Sequence, residues 1–136
     1  MELLQEESLR LLDFTKIRER VAAHVAFHPA VARAMTLSPE FALPKVLELQ
    51  QETEEGRYLI EVSDNTHITY ASDIRPLVQR VLLDGVLTGG ELRQIFDTVQ
   101  SGRITRAIVL NHHDHLPSLS KIASSISVFK ELESEI

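Results

Sequence analysis

The sequence predicts an all-α domain of about six to seven helices, and three observations carry that expectation. Apolar residues recur at spacings of three and four through most of the chain. Pro, Gly and Thr fall where helices begin and end rather than inside alternating strand-like runs. The β-favouring residues Ile68-Thr69-Tyr70 are few and follow the polar turn Ser63-Asp64-Asn65-Thr66, so 63–72 reads as a loop or a short extended segment. With 136 residues, 43% of them apolar and 25% charged, the chain reads as one helical domain over 1–136, able to bury a core without staples.

Taken in order, Leu3, Leu4, Leu9, Leu11 and Leu12 form a short amphipathic helix that ends near Asp13. Asp13 is positioned to cap the next, in which Phe14, Ile17, Val21 and Val25 keep helical spacing. His24 and His28 would share that face, four residues apart, a spacing able to ligate one metal. The zinc-protease pattern requires Glu after the first His, however, and Val25 stands there with no third ligand evident. A histidine pair at the core edge is the plainer reading. Pro29 opens a helix through Ala30 to Met35, and Leu37-Ser38-Pro39 breaks it.

Pro44 opens the longest clear helix, about 44–62, roughly 28 Å at 1.5 Å per residue. Its buried stripe is expected at Val46, Leu49, Thr53, Gly56 and Ile60, with Leu47, Tyr58 and Val62 on a second side. Glu48, Glu52, Glu54 and Glu55 then form an acidic, solvated surface. Paired carboxylates can perform acid–base chemistry or hold a divalent ion, but a run of Glu on a helix is ordinarily a wet face.

The best-defined local signals lie between Ile68 and Leu92. Asp73 is positioned to cap a helix whose apolar residues are Ile74, Leu77, Val78 and Val81. Pro76 falls in the first turn, where a missing amide costs no helical hydrogen bond. Gly85 closes that helix, and Thr88-Gly89-Gly90-Glu91 reads as a capping box for the next. Two helices therefore meet at a defined corner. Leu92, Ile95, Phe96 and Val99 continue toward Leu110, with Gly102 weakening the middle by about 1 kcal/mol relative to Ala.

Asn111-His112-His113-Asp114-His115 follows. Imidazole and carboxylate suit several transition ions, but adjacent loop residues rarely converge on one, and a polar interhelical loop accounts for them. Pro117 starts a helix through Leu119, Ile122 and Ala123. Ser127 is positioned to cap the last, with Val128, Phe129, Leu132 and Ile136 apolar. That helix reaches Ile136 with no stop signal, which reads as a cut from something longer. In that case some of these residues should form an uncovered apolar patch.

Much chemistry is missing. With no cysteine, disulfides and thiolate sites are excluded, and a reducing cytoplasm is compatible. The glycines match neither nucleotide-binding fingerprint, and no Gly-x-Ser-x-Gly elbow occurs. No apolar run approaches the ~20 residues of a membrane span, the acidic N-terminus is unlike a secretory signal, and neither Asn65 nor Asn111 starts a glycosylation sequon. The net charge of −6 is unlike that of a domain gripping nucleic acid, and only Arg103 to Arg106 hints at a basic patch. Sparse aromatics, 5% with no Trp, argue against a base-stacking platform. No catalytic, cofactor-binding or metal residue is assigned.

One resemblance adds a lead. Leu11-Leu12-Asp13-Phe14-Thr15-Lys16-Ile17 resembles the opening "Leu-Glu-Phe-x-Lys-Ile" of MutS-related ATPases, in the branch called MutS-two here. Leu37-Ser38-Pro39 resembles the short break after that family's second helix, and Glu52-Thr53 with Glu55-Gly56 and Leu59 resembles "Glu-Thr-x-Glu-Ala-x-x-Leu". The corner, Asp73-Ile74-Arg75-Pro76 with Gly85-Val86-Leu87 and Glu91-Leu92, resembles its most characteristic stretch. The ordered set covers about residues 4–136. It departs at Ala26-Phe27-His28-Pro29, where the family tends to show Ser and Gly, and in the His-rich loop.

The resemblance implies an N-terminal, helical, non-catalytic part of the core and lever region. The implied parent is a cytoplasmic, homodimeric ATPase using ATP and Mg, with DNA or ribosome held through other domains and an Smr nuclease domain often attached. It is associated with branched DNA, suppression of recombination and ribosome rescue. An independent helical interaction module and a His-dependent metal protein using His24 and His28, or His112, His113 and His115, are the alternative readings.

Overall fold

The computed structural model describes residues 2–62 and 71–136, with side chains described from residue 7 onward. Among these residues there are eight helices and no strand. They are α1 Glu2–Leu11, α2 Phe14–Ala23, α3 His28–Met35, α4 Leu43–Val62, α5 Arg75–Leu82, α6 Gly89–Asn111, α7 Pro117–Ser124 and α8 Lys130–Glu135. The all-α expectation holds, with one short helix more than expected. The expected extended residues Ile68-Thr69-Tyr70 lie outside the described residues.

The chain forms two compact units, residues 1–39 and 40–136. In the first, α1 packs on α2 and α2 on α3. Asp13 takes the left-handed conformation at φ 54°, turning α1 into α2. Its carboxylate makes no cap; it pairs with Lys16 Nζ at 2.7 Å, and the backbone carbonyl accepts the Lys16 amide instead. Helix α2 stops at Ala23, with His24 as its C-cap, and α3 restarts at His28 with Pro29 in its first turn. The Arg18 guanidinium, seated over the Phe14 ring, donates through Nε to the Leu37 carbonyl. That bond ties α2 to the chain leaving α3.

In the second unit, the Glu40 carboxylate accepts from the Phe41 and Ala42 amides just before α4. The core is a cluster of Leu59, Val109, Leu116 and Ala123, surrounded by Tyr58, Ile108, Leu110 and Leu119. Leu116 is fully buried. Helices α4 and α6 both pack against α7, and α8 packs against α6. The longest helix is α6, with 23 residues against 20 in α4, reversing the sequence expectation. Its capping box holds it from Thr88 onward, and Gly102 passes through its middle without a break.

The buried stripe of α4 also differs from expectation. Leu49 and Ile60, assigned inward, are 40% and 52% exposed, whereas Glu55 and Leu59 are buried. The apolar residues of α4 are spread around the helix, so their spacing does not select one face. The choice is made by what α7 requires of its neighbour.

Candidate functional surfaces

Three features of the second unit are built from side chains that act together, and the first is a helix cap supplied from a distance. Helix α7 begins Leu116-Pro117-Ser118-Leu119, and its N-cap residue Leu116 has no oxygen to offer the first-turn amides. Pro117 removes one of those donors, leaving the amides of Ser118 and Leu119 to be satisfied. Glu55 satisfies both. Its Oε1 accepts the Ser118 amide at 3.1 Å and its Oε2 accepts the Leu119 amide at 2.8 Å. Gln51, one turn earlier on α4, donates to Oε1 at 3.1 Å.

Glu55 is only 5% exposed, so its assignment to an acidic solvated face is corrected. Burial pushes its carboxyl up, but the Leu119 and Ser118 amides, with the Ser118 and Gln51 side chains, outweigh burial and hold it below the usual carboxylate range. The positive end of the α7 dipole acts in the same direction. Of the other three glutamates of that expected face, Glu48 and Glu54 are exposed and pair with Lys45 and Arg57, and Glu52 is half-buried.

The second feature is the corner between α5 and α6. Asp73 lies one residue ahead of the N-cap Ile74, so it does not cap α5 in the expected register. It accepts the Arg75 amide at 3.2 Å and clasps the Arg75 guanidinium with both oxygens. At the far end the Asp84 amide donates to the Val81 carbonyl, and the Gly85 amide to the Arg80 carbonyl at 2.9 Å. This is a Schellman closure in which Asp84, at φ 59°, takes the left-handed position. Gly85 ends the helix as expected, but through close approach rather than positive φ. A Cβ there would lie 2.7 Å from the Arg80 carbonyl oxygen.

Thr88 and Glu91 complete the expected capping box. The Glu91 carboxylate accepts the Thr88 amide at 2.8 Å, and the Thr88 hydroxyl accepts the Glu91 amide at 3.3 Å. Glu91 also meets Arg80 at 2.7 Å, joining the last turn of α5 to the first of α6. The Thr88 amide, with Arg80 assisting, holds the Glu91 carboxyl below its ordinary range despite the opposing effect of desolvation. Ser72 adds a tie, donating its amide to the Thr98 hydroxyl on α6.

The third feature is an open apolar groove of about 520 Å³. Val78, Val81 and Leu82 of α5, Leu87 of the corner, Leu92 and Ile95 of α6, and Leu132 and Ile136 at the end of the chain line it. Val128, Phe129, Leu132 and Ile136 are 37–51% exposed, and of these Leu132 and Ile136 line the groove. Ser127 does not cap α8; Phe129 holds the N-cap position.

The histidines are not gathered. His24 lies at the end of α2 and His28 at the start of α3, so no single helix presents both on one face, and both are exposed. In the loop after α6, Nδ1 of His112 donates to the Ile108 carbonyl at 2.9 Å and Nδ1 of His113 to the Leu110 carbonyl at 3.2 Å. His115 and His112 instead flank Tyr58, with ring centroids at 5.1 Å and 6.2 Å. Among the described residues no group of three or more His, Asp or Glu side chains is placed to hold a metal ion. The hinted basic patch is also altered, because Arg103 is engaged by both oxygens of Glu133 on α8.

No family model matches the chain, and no solved structure matches it. Curated relatives do. The proteins named Endonuclease MutS2 of Symbiobacterium thermophilum and Brevibacillus brevis are 32% and 30% identical to it over 133 and 135 residues, each alignment covering 98% of this chain. The protein of that name from Geobacillus thermodenitrificans is 26% identical over 120 residues, or 88% of this chain. The described residues are all-α, with capped corners and packed helices. The chain belongs to the MutS2 family and corresponds to an N-terminal region of such a protein. It spans about one sixth of these relatives, 15–17% of their length. No helix among the described residues is long and apolar enough to cross a membrane.

Proposed function

We propose that the chain is a non-catalytic scaffold within a MutS2-type parent, holding the geometry of neighbouring regions while other regions bind ATP and nucleic acid. The relationship to one segment of the MutS2 relatives carries this reading. The charge supports it: at −6, the domain would repel a phosphate backbone unless basic residues were concentrated, and Arg75, Arg80, Arg93 and Arg103 are each paired with a carboxylate. The parent is then a homodimeric ATPase with possible endonuclease activity, working on branched DNA to suppress recombination, on stalled ribosomes, or on both. The corner holds α5 against α6 and the distant cap holds α7 against α4, fixed geometry of the kind that a part passing movement between domains needs.

The test compares the isolated chain with a complete MutS2 protein carrying the same segment. The chain alone should neither hydrolyse ATP nor shift branched DNA in a gel at 150 mM salt. Substituting the residue equivalent to Glu55 by Ala in the complete protein should lower its ATP turnover or DNA binding. Tight binding of branched DNA by the chain alone would overturn the scaffold reading, as would full activity of a complete protein from which the segment had been deleted.

A second reading, an interaction module that receives a partner helix, is favoured by the apolar groove at α5, α6 and α8. It differs from the first in predicting that the isolated chain captures a defined amphipathic peptide.

A further inference from the structure

The corner between α5 and α6 carries a chemically fragile pair of residues at a place where the backbone leaves little choice of side chain. Asp84 takes φ 59°, the left-handed region that Gly, Asn and Asp enter most readily. Glycine follows it because a Cβ at position 85 would lie 2.7 Å from the Arg80 carbonyl oxygen. The pair is therefore Asp-Gly, and no other Asp or Asn in the sequence precedes glycine. With no side chain on the next residue, the following amide nitrogen is open to the Asp carboxyl carbon, so this dipeptide cyclises more readily than other Asp pairs. In that reaction the Gly85 nitrogen attacks Asp84 Cγ, and the carboxyl hydroxyl leaves with the amide proton as water. The five-membered imide then takes up water at either carbonyl. Opening at Cγ restores aspartate. Opening at the main-chain carbon gives isoaspartate, whose backbone runs through the side chain and is one methylene longer. Asp84 is exposed, so burial neither restrains its carboxyl nor keeps water away.

We infer that the closed corner shelters Asp84 and Gly85 from this modification, and that isoaspartate at position 84 marks chains in which the corner has opened. Attack requires rotation about the Asp84 Cα–C bond, which brings the Gly85 nitrogen over Cγ. In the closed corner the Gly85 amide donates to the Arg80 carbonyl at 2.9 Å and the Asp84 amide to the Val81 carbonyl at 3.0 Å, which fixes the intervening peptide. The Arg80–Glu91 pair and the Thr88–Glu91 capping box hold the two helix ends around it. Ring closure therefore waits for local opening. The product also prevents return to the starting geometry, because the extra methylene displaces the Gly85 amide from the Arg80 carbonyl.

The test is incubation at 37 °C and pH 7.4, followed by peptide mapping, with isoaspartate counted by an isoaspartyl methyltransferase. A synthetic peptide of residues 78–92 supplies the unsheltered rate. The folded chain should accumulate isoaspartate at position 84 at least about tenfold more slowly than the peptide. Glu91→Gln weakens the capping box and its link to Arg80, and should raise the rate in the folded chain several-fold. Asp84→Glu, whose imide needs a six-membered ring, should abolish the signal and so assigns it to this position. Equal rates in the folded chain and the peptide would overturn the inference, because the corner would then give no shelter. A folded-chain rate unmoved by Glu91→Gln would also overturn it, by placing the protection outside the corner. The peptide comparison uses the unsubstituted chain, so it decides the matter even if a variant does not fold.

Discussion

Glu55 shows how one carboxylate can organise two helices. Removing it leaves the Ser118 and Leu119 amides without their acceptor next to the core. Glu55→Ala should therefore cost about 2 kcal/mol, a cap plus an unsatisfied buried donor, and lower Tm by roughly 6–10 °C in a calorimetric scan. The sign of its pH dependence follows from the depressed carboxyl. Stabilisation is complete above the ordinary glutamate range and fades as pH falls through the lower folded value. Acid titration of stability should be shallower in Glu55→Gln, which also keeps the shape of the side chain. At the corner, neighbouring residues behave oppositely. Gly85→Ala should destabilise by about 1–2 kcal/mol, because the new Cβ meets the Arg80 carbonyl. Asp84→Gly should stabilise by about 0.5 kcal/mol, because a left-handed position suits glycine better. Urea midpoints of the two variants should move to opposite sides of the parent chain.

At the scale of elements, the signals that proved readable were those contained within a few residues. Thr88 to Glu91, Pro29, Pro76 and Pro117 mark helix starts by local chemistry, and each lies in the first turn or cap of a helix. What was not readable depended on a partner distant in sequence. The face of α4 was misassigned because Glu55 looks like any surface glutamate until α7 is placed against it. One signal was available: Leu116-Pro117 opens a helix with no capping side chain, so an acceptor had to come from elsewhere. The shared face expected for His24 and His28 fails for a related reason, since their four-residue spacing has meaning only if one helix spans both. Glycines within helices offer a quantitative check. At Gly56 an added methyl group meets nothing within 4 Å, and at Gly102 it meets Ile126 at an ordinary 3.7 Å. Each Gly→Ala change should stabilise by about 0.5–1 kcal/mol, read from denaturant unfolding.

For the whole molecule, the buried cluster Leu59, Val109, Leu116 and Ala123 belongs entirely to residues 40–136. A fragment of those residues should retain a cooperative thermal transition, checked by circular dichroism, and Leu116→Ala should lower its stability by about 3 kcal/mol. The distant cap also bears on how that unit assembles. Glu55 and Leu119 are separated by 64 residues, so α7 receives its N-terminal acceptors only after a long loop has closed. Eight residues with no cap of their own are too few to persist as a helix in water. Helix α7 is therefore expected to form together with its docking on α4 rather than ahead of it. In refolding experiments Glu55→Ala should accelerate unfolding far more than it slows folding, which makes the lifetime of the native state depend on a single buried carboxylate.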